Sequence, residues 1–291
     1  MKFSEKLKRY FLKEDPSLPP MEPAVVRPRG ELAPGTAELT EQGYRVPFID
    51  TLRGVCLIMA FLYEFIYIIH TYGMLEGTAV ADFASKIMTG ENFGYWVFGF
   101  QAAFVVISGI SANYTRNLFK GALRLAVCAV IITVGSIIFF GIESAIWFGM
   151  VHMLAVSWAV YGLIKKYGLE KYFDKVGLSV WMVLFLMLHV LSLYLTPERL
   201  FIGSIEIPYY FIGFTPADFT SLEFFGIIPW LFAFFCGVTL GKFMRDGYIA
   251  ENTYKFRVPG VDIIGRNGFL IYLLHYPVVY VILLIADKLV K

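Results

Sequence analysis

Long apolar runs follow one another along the chain with short polar breaks between them. Seven are of spanning length, at about residues 53–73, 94–112, 121–141, 145–164, 178–196, 225–244 and 267–287. A helix needs about 20 such residues to cross roughly 30 Å of hydrocarbon. Each run continues well past the length of a strand, so the pattern predicts helices, and no internal repeat divides them. The fold class expected is an all-α, polytopic membrane bundle of about seven transmembrane helices.

Composition agrees: 58% of the residues are hydrophobic and 16% charged, with a mean hydropathy of +0.65. A soluble domain of 291 residues does not have this make-up. The exception is the opening stretch, which gives residues 1–46 as a basic, proline-rich cytoplasmic tail and 47–291 as the transmembrane domain. "MKFSEKLKRYFLKEDPSLPP" is too charged for a secretory signal. Phe3, Leu7, Phe11 and Leu12 share one helical face, which suits either an interfacial helix or a solvated tail.

Charge supplies the orientation. With the N-terminus inside, 21 of the 25 Lys and Arg residues fall on the cytoplasmic side, leaving Lys86, Arg199, Lys288 and Lys291 outside. That bias predicts a cytoplasmic N-terminus. The net charge of +2 then reflects topology and gives no reason to expect nucleic acid. Cys56, Cys128 and Cys236 all lie within spans, without the spacing of a disulfide framework or a zinc site, so no metal is expected.

The first span, "LRGVCLIMAFLYEFIYIIHTYG", carries groups that lipid excludes. An ionised side chain at mid-bilayer costs at least about 2.5–3.5 kcal/mol, so Glu64 implies a protein-lined or watery site. At 100° per residue, Arg53, Cys56, Ala60, Tyr63, Glu64, Tyr67, His70 and Thr71 fit an arc of about 120°, and the apolar residues fill the rest. Arg53 and Glu64 are eleven residues apart, close to three turns, or about 16 Å along the axis. That places Arg53 at the inner mouth, Glu64 near mid-depth and His70 toward the outside. The order suits an anionic donor handed outward or a proton path; the bland alternative is a buried, paired Glu.

Three more histidines lie in spans: His152 in the fourth, His189 in the fifth and His275 in the last, two residues before Pro277. Four imidazoles and a carboxylate in one small bundle favour a shared polar centre, with His189 assigned a structural role. "FVVISGISAN" reads first as a stretch of small residues for close helix packing, and second as a backbone-lined ligand approach that includes Ser108. The outer loop 197–225 is acidic and aromatic, which suits a sugar or amine acceptor as well as an ordinary interfacial belt.

Taken together, "FIDTLRG", "FVVISGIS", "IWFGMVHML", "PWLFAFFCGVTLGKF" and "IGRNGFLIYLLHYPV" resemble the heparan-α-glucosaminide N-acetyltransferase catalytic family. The resemblance is strongest to its bacterial branch, within the wider transmembrane acyltransferase superfamily, and covers about residues 47–285. It implies acyl transfer from cytoplasmic acyl-CoA (acetyl-CoA as co-substrate, with no tightly bound cofactor) to an amine or hydroxyl of an extracytoplasmic glycan or lipid-linked glycan. It implies an integral protein of a bacterial cell membrane, with the bilayer as partner and a homodimer left open. His152 and His275 match the family pattern. Glu64 stands where a histidine is common, Ile68 where an aspartate is usual, and "EFFG" where the branch has Asp-Tyr-Phe-Pro, which puts Glu223 in the aspartate's place. Gly268 replaces a serine, and Tyr276 a glutamine.

On the enzyme reading, Glu64, His70, His152 and His275 are the candidates for general base and oxyanion stabiliser. Arg53, Ser108, Arg116, Lys120 and Arg124 are candidates for the CoA phosphates. Tyr67, Glu223 and Trp230 are assigned to the acceptor. Two rivals belong to other classes: a proton-coupled transporter or flippase using the same groups, and a non-catalytic membrane scaffold. Acyl-CoA-dependent transfer that needs Glu64 or His152 favours the enzyme, and substrate-independent proton flux favours transport. Neither activity in a stable Glu64→Ala protein favours the scaffold.

Overall fold

The computed structural model describes residues 46–115, 117–143, 145–195, 223–245 and 256–290, with 201–202, 205–206, 212–215, 221 and 253 between them. The N-terminal tail, Arg116 and most of the outer loop therefore lie outside the described residues. The regular structure described is helical, apart from a two-residue antiparallel pairing of Phe201–Ile202 with Ile205–Glu206 and a parallel bridge from Phe148 to Phe224.

All seven expected helices are present: α1 Pro47–Tyr72, α3 Phe93–Ala112, α4 Leu118–Phe140, α5 Met150–Lys166, α7 Leu178–Tyr194, α8 Ile227–Arg245 and α10 Gly268–Val290. Five of them, α1, α3, α4, α8 and α10, are long and apolar enough to cross a membrane. The protein is thus a polytopic helical membrane protein. The other two, α5 and α7, have 17 residues each. Among the described residues three shorter helices, α2 Ala79–Met88, α6 Glu170–Phe173 and α9 Val261–Arg266, lie between the apolar runs.

The chain forms two compact units, and helix α3 gives its first part to one and its last part to the other. The first unit comprises residues 46–104 and 254–291. Pro47 opens α1, where its missing N–H and fixed φ cost nothing. The helix ends at Gly73, whose φ of 60° lets its N–H return to the carbonyl of Ile69. Thr78 then starts α2 by accepting a bond from the Ala81 N–H. Ile68, Ile69, Met74, Leu75, Ala84, Val279 and Leu283 make a buried cluster that packs α1, α2 and α10 together. Asp287 near the end of α10 accepts the Leu75 N–H at 2.8 Å, pinning the turn between α1 and α2. At the other end of α1, backbones nearly touch. A Cβ on Gly54 would lie 2.0 Å from the Val261 carbonyl oxygen, and one on Gly265 would lie 1.7 Å from that of Asp50. Only glycine permits this seating of α9 on α1.

The second unit holds the described residues between 105 and 253. Here α3 and α8 approach through small residues, since a Cβ on Gly109 would stand 2.1 Å from the Phe234 carbonyl oxygen. This is the close packing that small residues allow in lipid. Asn113 reinforces it by donating to the Val238 carbonyl at 2.9 Å and accepting from the Tyr161 hydroxyl at 3.4 Å. Cys56, Cys128 and Cys236 are buried and free.

Candidate functional site

The polar stripe of α1 faces packed helices of its own unit. At its centre the Glu64 carboxylate reaches His275 of α10, with Oε1 and Nε2 3.8 Å apart and the two side chains 16% and 11% exposed. The other imidazole nitrogen settles the proton arrangement. Nδ1 of His275 meets the Tyr272 carbonyl oxygen, which can only accept, so Nδ1 carries hydrogen. Nε2 therefore faces Glu64 either bare, toward a protonated carboxyl, or protonated, toward a carboxylate. At 3.8 Å the two groups stand beyond direct hydrogen-bond distance, a partly buried carboxylate and imidazole close enough for their charges to interact.

Tyrosines surround this pair. The Tyr272 ring lies against the His275 ring, with centroids 5.0 Å apart, and Tyr67 stacks on Tyr63 at 5.7 Å. Tyr276 lies within electrostatic reach of Glu64 and Tyr67, and its hydroxyl meets that of Tyr72 at 3.2 Å. His70 is exposed at the edge of the stripe, and its Nδ1 is 3.2 Å from the Ser85 hydroxyl of α2. At the opposite end of α1, Arg53 donates to Asp50 at 2.8 Å and to the Gly265 carbonyl at 3.2 Å. Its guanidinium thereby fastens α9 to α1.

A second polar cluster belongs to the other unit and surrounds the start of α5. His152 Nδ1 accepts the Gly149 N–H at 3.2 Å. Its Nε2 therefore carries the proton in the neutral ring and donates to the Thr133 hydroxyl at 3.0 Å, which donates in turn to the Ile146 carbonyl at 2.8 Å. Glu223 accepts the Met150 N–H at 3.2 Å. These bonds satisfy backbone donors that the first turn of a helix leaves open, and the Glu223 carboxylate sits at the positive end of the helix dipole. Ser136 accepts the Ile146 N–H, and Ser221 donates to the Ala145 carbonyl, completing the cap.

The remaining candidates are scattered. Ser108 accepts from the Trp158 indole at 2.9 Å. Lys120 and Arg124 are exposed on α4, while Trp230 is buried against Phe225, Phe185 and His189. Among the described residues no group of three His, Cys, Asp or Glu side chains is placed to hold a metal ion.

The model of the heparan-alpha-glucosaminide N-acetyltransferase catalytic domain matches residues 45–277, well over half of the chain. The chain belongs to this family. Neither a curated protein nor a solved structure matches it. The family is one of acetyltransferases, and the apolar helices make this member a membrane protein. Within the family segment lie both halves of the Glu64–His275 pair, although 211 positions separate them in the chain. Residue spacing alone leaves out Tyr272, Ser85 and Thr133 as partners of the histidines. Tyr272 was within reach of such reasoning, because it precedes His275 by three residues on one helix face.

Proposed function

We propose that this family member transfers an acetyl group from cytoplasmic acetyl-CoA, across the membrane, to an amine or hydroxyl of an extracytoplasmic glycan. The observation that supports this reading is the approach of Glu64 to His275 inside the family segment. The acceptor nitrogen or oxygen bonds to the thioester carbonyl carbon, the carbon–sulfur bond breaks, and the acceptor's proton must move to the departing thiolate. A pair that takes a proton on Glu64 or Nε2 and gives it back serves both halves of that step. The Tyr272 carbonyl holds the imidazole in the useful tautomer throughout.

On this reading Tyr67, which shares the polar arc of α1 with Glu64, lies beside the acceptor. Arg53, His152 and Glu223 are positioning residues, because their polar atoms are engaged in holding α9 and the start of α5. His70 stands toward the acceptor side and orients α2 through Ser85.

The test is acetyl transfer from labelled acetyl-CoA to an amino-sugar acceptor by the purified protein in lipid nanodiscs. Glu64→Gln and His275→Asn should each lose roughly 10²–10⁴-fold in rate, the range for a general acid–base group, while keeping the wild-type melting temperature. Full activity in both folded variants would remove the pair from the chemistry.

A further inference from the structure

The segment joining α5 to α7 is a platform with two different faces. Gly168, at φ 67°, closes α5: the Leu169 N–H returns to the Ile164 carbonyl at 2.9 Å and the Gly168 N–H to that of Lys165 at 3.2 Å. Helix α6 follows at once. Its inner face is anchored by Phe173, which is buried among Tyr161, Trp181 and Phe235. Its acids are neutralised from within. Asp174 and Glu170 both pair with Lys242, and Glu170 also lies 3.9 Å from Lys165.

The outer face is left with positive charge and exposed rings. Tyr167 is 67% exposed and Tyr172 55%, with Leu169 open beside them. Lys166 stands 5.8 Å from the Tyr167 ring centre, and Lys171 and Lys175 stand 4.9 and 5.7 Å from that of Tyr172. Among the described residues these three lysines have no carboxylate partner. Three ammonium groups over two exposed tyrosines, on a turn between two apolar helices, complement a surface that is apolar below and anionic above.

From this we infer that the α5–α7 platform is a binding site for anionic phospholipid headgroups of the adjoining leaflet. Tyr167, Leu169 and Tyr172 enter the interfacial layer, where amphipathic rings are favoured. Lys166, Lys171 and Lys175 extend along them to lipid phosphates, with their stems covered by the rings. Glu170 and Asp174 are paired with Lys165 and Lys242, so Lys166, Lys171 and Lys175 leave the platform with a net positive charge.

Native mass spectrometry of the detergent-solubilised full chain, with added dioleoyl phosphatidylglycerol or dioleoyl phosphatidylcholine, tests the site. The wild type should retain phosphatidylglycerol preferentially. Each of Lys166→Gln, Lys171→Gln and Lys175→Gln should weaken that retention roughly fivefold, the counterpart of about 1 kcal/mol per charge near an anionic surface. Lys288→Gln should have no effect. Inorganic phosphate should compete poorly, since it lacks the acyl chains that keep the headgroup at the rings. Equal retention of the two lipids would overturn the proposal, as would a preference that survives the triple Gln variant or displacement by phosphate alone. Should the triple variant fold badly, the three single variants decide by the same readout. None of these outcomes depends on acetyl transfer.

Discussion

At the scale of single residues, the chemistry turns on which atoms already have work. His152 and His275 look alike in the sequence, as helix histidines with apolar neighbours, but their nitrogens are used differently. Both nitrogens of His152 are tied to its own helix start and to Thr133. His275 has Nδ1 tied to Tyr272 and presents Nε2 to Glu64. On the proposed reading the acceptor's proton passes between these two groups, so the two side chains should act as one unit. The Glu64→Gln/His275→Asn double variant should therefore lose no more transfer rate than the weaker single variant, within about threefold, as partners in one catalytic step are non-additive. A double-variant cycle on purified protein checks this; losses that multiply would show two independent roles.

Among the elements, helix α1 shows what the sequence could and could not convey. Its 120° polar arc was legible because helical periodicity is local, and Glu64, Tyr67 and Arg53 do turn toward other parts of the protein. Which helix receives them was not legible, because α9 and α10 lie some 200 positions away. The α9 segment was missed for a related reason. Six residues after Pro259 and Gly260 are too few for a periodic signal, and the helix exists because glycine lets it lie against α1. Amphipathic α2 is only ten residues long and hid between two stronger apolar runs. The glycine seat makes a sharp prediction. Gly265→Ala drives a methyl group into the Asp50 carbonyl, where backbone must yield, and should destabilise by at least about 1–3 kcal/mol. Gly99→Ala, on α3 with nothing within 4 Å of the added methyl, should instead be neutral or stabilise by up to about 1 kcal/mol. Thermal melts of the two variants in one detergent provide the comparison, and equal losses would remove close approach as the reason for glycine at position 265.

For the whole molecule, the candidate residues divide between two units, and the proposed acid–base chemistry falls to one of them. Arg53, Glu64, Tyr67, His70 and His275 belong to one unit; Ser108, Lys120, Arg124, His152, Glu223 and Trp230 belong to the other. The sequence order, with the first unit assembled from an early segment and the last one, conceals this grouping, so a single list of polar groups in spans treats them alike. The structure gives the second group mostly structural partners. His152→Ala leaves the Gly149 N–H and the Thr133 hydroxyl without their acceptor and donor, a loss of about 1–3 kcal/mol for buried polar groups left unmade. Its melting temperature should fall, while its transfer rate per folded molecule should drop by less than the roughly 10²-fold expected of a general base. Glu64→Gln should show the opposite pattern, with an unchanged melt and lost transfer. Measuring both quantities on both variants places each residue on one side of the division. A His152→Ala protein that melts like the wild type and transfers nothing would move the reaction to the start of α5.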